Sequence, residues 1–123
     1  MKDQQVKSVT LRRDGKGPLK FNGERIGDAS RHYVKEDDNQ ESKSYEISAR
    51  LFRTASGKHI LGVETYNRTD ECYDSRDGWV SDSLEGLLEA IRNVRKFGYL
   101  DDDLLAEVFE KTAIADQFVE QVD

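Results

Sequence analysis

The sequence of 123 residues has few of the residues that cross-link a chain or direct it to another compartment. Cys72 is the only cysteine, which excludes an internal disulfide. The N-terminal stretch MKDQQVKSVT lacks the apolar run of a secretory signal, and no segment is long and apolar enough to span a membrane. We therefore expect a reduced, cytoplasmic protein without membrane contact.

Motifs for catalysis, metals and phosphate are also lacking. The only histidines, His32 and His59, have no metal-ligand spacing to each other or to Cys72. We expect His59 to be an exposed cross-strand neighbour of Arg53, and no nucleophile or oxyanion loop accompanies His32. The glycines are too scattered to form a loop that cradles phosphate. The sequence therefore predicts no enzyme, no cofactor and no metal site.

An acidic cluster around Cys72 invites a calcium interpretation, since calcium binds several oxygen ligands on flexible backbone. The spacing does not match an EF-hand loop, which needs acids at alternate positions and a distal glutamate. A solvated loop is the favoured interpretation. Its members are Asp70, Glu71, Asp74 and Asp77.

Charge is abundant and unevenly distributed. Hydrophobic and charged residues each make up 36% of the chain, mean hydropathy is −0.81, and the length suits one domain, residues 1–123. The net charge is −6, yet residues 1–35 hold nine bases and four acids, whereas residues 81–123 hold four bases and eleven acids. The basic end could bind a polyanion or an acidic protein, and the acidic end a basic partner. The simpler interpretation is that the two ends attract each other and water.

The clearest pattern is a hairpin over residues 45–67. Alternate positions of its first strand are apolar, which is typical of a half-buried strand. A three-residue loop ending at Gly57, which would take a positive φ, pairs Leu51 with Leu61 and Ala49 with Val63. The second face of the hairpin is too apolar to be fully solvated, so we expect something to cover part of it. We predict an interaction surface there: Phe52, Ile60 and Tyr66, with Arg50 and Glu64 as rim charges.

Weaker patterns surround this hairpin. A strand over residues 6–12 is expected to stop at the DGKGP segment, residues 14–18. Asn22-Gly23 then predicts a tight turn that places Phe21 opposite Glu24 and Leu19 opposite Ile26. The segment of residues 35–44 has no aliphatic or aromatic residue and predicts a solvated connection. A further turn is expected at Asp77-Gly78.

Two helices are predicted at the C-terminal end. The first has Asp82 as its N-cap and ends at Gly98, with an apolar stripe at helical spacing. The second opens with acids at residues 101–103, which suit the positive end of the helix dipole, and breaks near Thr112. The first stripe should pack on the hairpin core. It consists of Leu84, Leu87, Leu88, Ile91 and Val94.

Two segments carry a family resemblance. PLKFNGERIGDAS, residues 18–30, and ARLFRTASGKHILGV, residues 49–63, resemble a loosely defined group of small uncharacterised bacterial proteins. That group combines P-L-x-F-x-G-E-x-[IL]-x-x-A-S with L-[YF]-R-T-A-x-G. The resemblance implies a recurring fold with no activity attached, and it does not extend to the C-terminal helices.

Together these patterns predict an α+β fold, with an antiparallel sheet of about five strands built from hairpins and two C-terminal helices packed on one face. The leading functional hypothesis is a non-enzymatic binding or regulatory module that contacts a protein partner or itself, as in a homodimer. The alternative is an acidic inhibitor of the phage or mobile-element type that occupies a nucleic-acid-binding surface. Its acids would be Asp101, Asp102, Asp103, Glu107, Glu110, Asp116 and Glu120.

Direct nucleic-acid binding is less favoured from the sequence. The basic residues of the N-terminal strands are accompanied by one well-placed aromatic ring, Phe21. The overall charge of −6 opposes contact with phosphates. The basic residues are Lys7, Arg12, Arg13, Lys16, Lys20 and Arg25.

Overall fold

The computed structural model describes residues 6–92, 94, 97 and 100–118. Five antiparallel strands form one sheet in chain order, which confirms the predicted α+β class. The strands are β1 (Lys7–Arg13), β2 (Lys16–Glu36), β3 (Ser42–Thr54), β4 (His59–Asn67) and β5 (Cys72–Ser81). They are followed by α1 (Leu84–Arg92), α2 (Asp102–Val108) and a 3₁₀ turn, Ala115–Phe118.

The β3–β4 hairpin has the predicted register. Leu51 pairs with Leu61 and Ala49 with Val63, and Gly57 takes a φ of 91°. The loop is closed by a hydrogen bond of 2.8 Å from the Thr54 amide to the Lys58 carbonyl. Turn residues and apolar alternation specify the same register here, so the sequence is sufficient to predict the strand pairing.

The predicted Asn22-Gly23 turn is wrong, because β2 is one continuous strand of 21 residues. The turn lies earlier, at Asp14-Gly15, where Gly15 has a φ of 75°. Gly23 is instead the crossing point of the strand, paired with β1 on one side and with β3 on the other. A Cβ at Gly23 would lie 2.6 Å from the Arg53 carbonyl oxygen, so the glycine permits a close backbone approach.

Two other irregular segments also turned out to be regular structure. Residues 35–44 were expected to be a solvated connection, but β2 and β3 pair as far as Glu36 and Ser42, around a turn at residues 37–41. The expected turn at Asp77-Gly78 lies inside β5, and the chain reverses at residues 68–71 instead. The strand segments next to these turns are mostly polar, so their sequence shows too little apolar alternation to predict a strand.

The helices begin close to where they were predicted. Ser83 rather than Asp82 caps α1, since its hydroxyl accepts a hydrogen bond of 3.0 Å from the Gly86 amide. Asp101 caps α2 by accepting from the Leu104 amide at 3.0 Å, and α2 ends before Thr112, as expected. Helix α1 ends at Arg92, earlier than predicted, so Val94 of the predicted stripe follows the helix. The predicted stop at Gly98 itself lies outside the described residues. None of the described helices has the length and apolarity needed to cross a bilayer.

The two helices cover one face of the sheet, here called the helix face. Helix α1 lies against β4 and β5, and α2 lies against β2 and β3. The predicted stripe of α1 joins the hairpin residues in one buried cluster, as expected from its helical spacing. Its fully buried members include Ile47, Leu51, Leu61, Leu87, Leu88, Leu104, Val108 and Phe109.

The opposite face is covered by the start of the chain. Strand β1 and residues 16–23 of β2, here called the ribbon, fold back across β3, β4 and β5, and this is the ribbon face of the sheet. Leu11 is buried with Phe52 and Ile60, and Val9, Leu19 and Phe21 pack around them. The bend of β2 near Gly23 therefore converts one sheet into two layers.

Candidate functional site

The predicted interaction surface is divided by the ribbon. Phe52 is 5% exposed and Ile60 is 3% exposed, both inside the small cluster beneath the ribbon. The expectation that the second face is partly covered is confirmed, and these two side chains are therefore not available to a partner. The bend of β2 across the sheet buries them, and no local sequence pattern predicts that bend.

The other three predicted residues lie beyond the ribbon. Arg50 Nη2 and Glu64 Oε1 form an ion pair at 3.0 Å, and both side chains are partly exposed. Tyr66 packs edge-on against Tyr73, with ring centroids 5.1 Å apart. We call this uncovered part of the ribbon face the open face: Glu46, Ser48, Arg50, Glu64, Tyr66 and Tyr73.

The open face combines exposed aromatic surface with charges of both signs. Tyr73 is 49% exposed, and the Arg76 guanidinium lies 4.7 Å from its ring centroid. Glu46 Oε1 forms an ion pair with Arg68 Nη1 at 3.3 Å, and Glu46 Oε2 lies 3.7 Å from His32 Nε2. The face encloses a shallow depression of about 560 Å³, which Glu71 also lines.

A second concavity lies on the helix face, and the sequence did not reveal it. A cleft of about 760 Å³ lies between an irregularity of β2 at residues 25–27, the β3–β4 turn region and the segment after α2. His59 lines it, and its Nδ1 is buried with no hydrogen-bond partner among the described residues. His59 was expected to be exposed, but it is half-buried and lines the cleft together with Leu84.

The charges of this cleft are mostly matched. Arg53 is held by Glu24, Arg25 by Asp28 at 3.3 Å, and Glu107 by Arg31 at 2.9 Å. Within the described ranges, no three side chains of the His, Cys, Asp or Glu type come together to hold a metal ion. The cleft therefore has polar walls whose described charges are mostly paired.

The acidic cluster around Cys72 is dispersed by the fold. Asp77 is buried in β5 and its Oδ1 lies 3.6 Å from Lys16 Nζ, whereas Asp70 Oδ2 accepts from Lys43 at 2.7 Å. Cys72 itself is exposed. The predicted solvated loop is thus a turn followed by a strand.

Lys43 is the centre of a polar network at the far end of the β2–β3 hairpin. Its hydrogen bond to Asp70 raises the pKa of Lys43 and lowers the pKa of Asp70. Two backbone amides, from Glu41 and Asn39, donate to Asp37 and help to lower its pKa. The network joins the start of β3 to the turn before it and to the turn between β4 and β5.

The acids of the inhibitor hypothesis do not form one array. Helix α2 has only seven residues, and Glu107 is paired with Arg31. Asp102, Asp103, Glu110 and Asp116 are exposed but are divided between α2, the following turn and the 3₁₀ segment. Glu120 lies outside the described residues.

Comparison with known proteins adds no further assignment. The chain matches no protein-family model, and it has no significant match to a curated protein or to a solved structure. The resemblance to the bacterial group with the two quoted motifs therefore stays a prediction.

Proposed function

We propose that the protein is a non-enzymatic binding module that contacts a protein partner through the open face. The observation that carries the proposal is the exposed Tyr73 beside Tyr66, on a part of the sheet that neither the helices nor the ribbon cover. Aromatic side chains of this kind supply contact area at low entropic cost and are enriched at interfaces.

A second copy of the chain is the partner that the charges fit. The open face and its edge hold three carboxylates and three guanidinium groups: Glu46, Glu64, Glu71, Arg50, Arg68 and Arg76. In a two-fold dimer the same patch meets itself, so a surface with equal charges of both signs is complementary to its own copy. A partner of strongly one-sided charge would leave half of these groups unmatched.

Sedimentation equilibrium tests the proposal, over a hundredfold range of protein concentration centred on about 10 µM. We expect a dimer whose dissociation constant rises at least about tenfold in Tyr73→Glu, because a carboxylate would be desolvated at the interface. Val80→Glu is the matched control, since Val80 lies on the same strand with 45% exposure but on the other side of the ribbon.

Charge reversal provides an independent arm. Arg50→Glu should weaken the dimer, and adding Glu64→Arg should restore it, because the pair is regenerated with opposite polarity. A monomer at every concentration would remove the homodimer. Equal weakening by Tyr73→Glu and Val80→Glu would remove the open face as the contact surface.

The acidic-inhibitor hypothesis stays a prediction with less support. Carboxylates evenly spaced along one exposed helix face would support this hypothesis. The exposed acids are instead divided among three short segments.

A further inference from the structure

The net charge of −6 opposes nucleic-acid binding for the chain as a whole. The fold, however, places the basic ribbon and the acidic helices on different sides of the sheet. The ribbon carries five cations and one carboxylate over residues 6–23, whereas residues 81–123 carry eleven acids. The ribbon lies on one face of the sheet and both described helices lie on the other. A ligand that approaches the ribbon therefore meets positive charge, with the acidic helices behind the sheet.

The outer side of the ribbon is polar apart from Pro18, and exposed Val6 lies just before β1. The apolar residues of both strands point inward, so the alternate positions face solvent. Across the two strands Ser8 pairs with Asn22 and Thr10 pairs with Lys20, and all four are exposed. Arg12 is also exposed, and neither it nor Lys20 forms an ion pair with another described residue. These side chains can all donate hydrogen bonds, and none is acidic.

The ribbon is also held firmly against the sheet. Leu11 sits over Gly62 and Leu19 sits over Gly78, where a Cβ would approach the two leucines to 2.9 Å and 3.1 Å. The Asp14 amide donates to the Arg76 carbonyl at 2.9 Å, and the Arg76 amide donates to Asp14 Oδ2 at 2.8 Å. A ligand would therefore meet a preorganised surface, which reduces the entropic cost of binding.

We propose that the outer side of the ribbon binds double-stranded DNA, with the two strands lying in the major groove. That groove admits a two-stranded ribbon, and Arg, Lys, Asn, Ser and Thr are the side chains that contact its base edges and phosphates. Single strands fit less well, because Phe21 packs inward against Phe52, with centroids 5.3 Å apart, and cannot stack on a base.

Fluorescence anisotropy with a labelled random-sequence DNA duplex at about 50 mM and about 200 mM salt tests this proposal. We expect binding that weakens steeply with salt. The double variant Arg12→Ala/Lys20→Ala should bind at least about tenfold more weakly, with a salt slope reduced by about two. A control that removes the same charge elsewhere is Lys35→Ala/Lys111→Ala. Both of its lysines are exposed and without an ion pair among the described residues, so this control should bind within about threefold of wild type.

Two further probes define the ligand. An RNA duplex should bind more weakly than DNA, since its major groove is too deep and narrow for a ribbon. Polyglutamate of similar charge should not compete at equal charge concentration. Circular dichroism of both double variants checks that the fold is retained, which we expect because all four side chains are exposed.

Three results would overturn the proposal. The first is no DNA binding at about 50 mM salt. The second is equal loss of binding in the two double variants, which would mean that only the net charge matters. The third is polyglutamate binding as tight as DNA binding, which would assign the ribbon to an acidic protein surface instead. This inference does not depend on the open face, because Arg12 and Lys20 lie outside it.

Discussion

The two faces of one sheet are covered in different ways. Among the described residues the helix face buries fifteen hydrophobic side chains in one cluster, whereas the ribbon face buries three. Burial of apolar area is the main source of folding free energy, so the helix face should dominate stability. The ribbon face depends more on close packing over two glycines and on backbone hydrogen bonds. One face therefore carries most of the buried apolar surface, and both proposed binding surfaces lie on the other.

The largest test of this comparison truncates one leucine on each face. Leu88→Ala on the helix face should lower the free energy of unfolding by about 2–5 kcal/mol, because Leu88 is 2% exposed within the large cluster. Leu19→Ala on the ribbon face should cost less, since Leu19 is only partly buried. Urea unfolding followed by circular dichroism measures both values. Equal costs would contradict the view that stability is concentrated on the helix face.

The next test adds one methyl group beneath the ribbon. Gly62→Ala places a Cβ 2.9 Å from a Leu11 methyl carbon, so we expect a loss of about 1–3 kcal/mol through overpacking. Gly17→Ala is the control, because a Cβ there meets nothing within 4 Å. Leu11→Ala in the Gly62→Ala background should cost less than Leu11→Ala alone, since the added methyl fills part of the space. Strictly additive losses would indicate that the ribbon is not seated on Gly62.

The smallest expected effect on stability is at the end of the β2–β3 hairpin around Lys43, which lies outside both buried clusters. Lys43→Met should lower the melting temperature slightly near neutral pH, whereas Lys35→Met should not. The lowered pKa values of Asp37 and Asp70 mean that their contribution is lost as pH falls below their ordinary value of 3.8. The raised pKa of Lys43 means that its contribution is present at lower pH and is lost as pH rises beyond 10.5.

A melting curve at each pH measures this contribution. The difference between wild type and Lys43→Met should be greatest between these two limits and should shrink beyond both. A difference that stays constant from acid to alkaline pH would show that Lys43 acts through packing of its aliphatic stem instead.

The parts of the fold that the sequence predicted are those where two local signals agree. In the β3–β4 hairpin, apolar alternation and a glycine at the positive-φ position specify one register. In α1, helical spacing and a nearby cap specify one buried stripe. Asn22-Gly23 carried a strong turn signal, but close packing against Arg53 uses that glycine inside a strand. Tertiary packing decided the conformation there, and no local pattern reports it.

The candidate surfaces were predicted only in part for the same reason. Arg50, Glu64 and Tyr66 are on the expected face, because side-chain alternation is a local property. The burial of Phe52 and Ile60 depends on where residues 7–21 fold in space. The cleft beside His59 unites β2, β4 and the segment after α2, which are far apart in the chain. Such juxtapositions require the bend of β2 and the docking of α2.

The clamp between Asp14 and Arg76 has a consequence for the order in which the molecule folds. Every strand pairs with its neighbour in the chain, so each ladder can form through short loops. The two hydrogen bonds between Asp14 and Arg76 differ, because they join residues separated by 62 positions. Closing a loop of that length is slow and has an entropic cost. We therefore expect a meander to assemble first and the N-terminal strands to dock late. Amide protons near Asp14 should exchange through the lowest-energy partial openings of the native state.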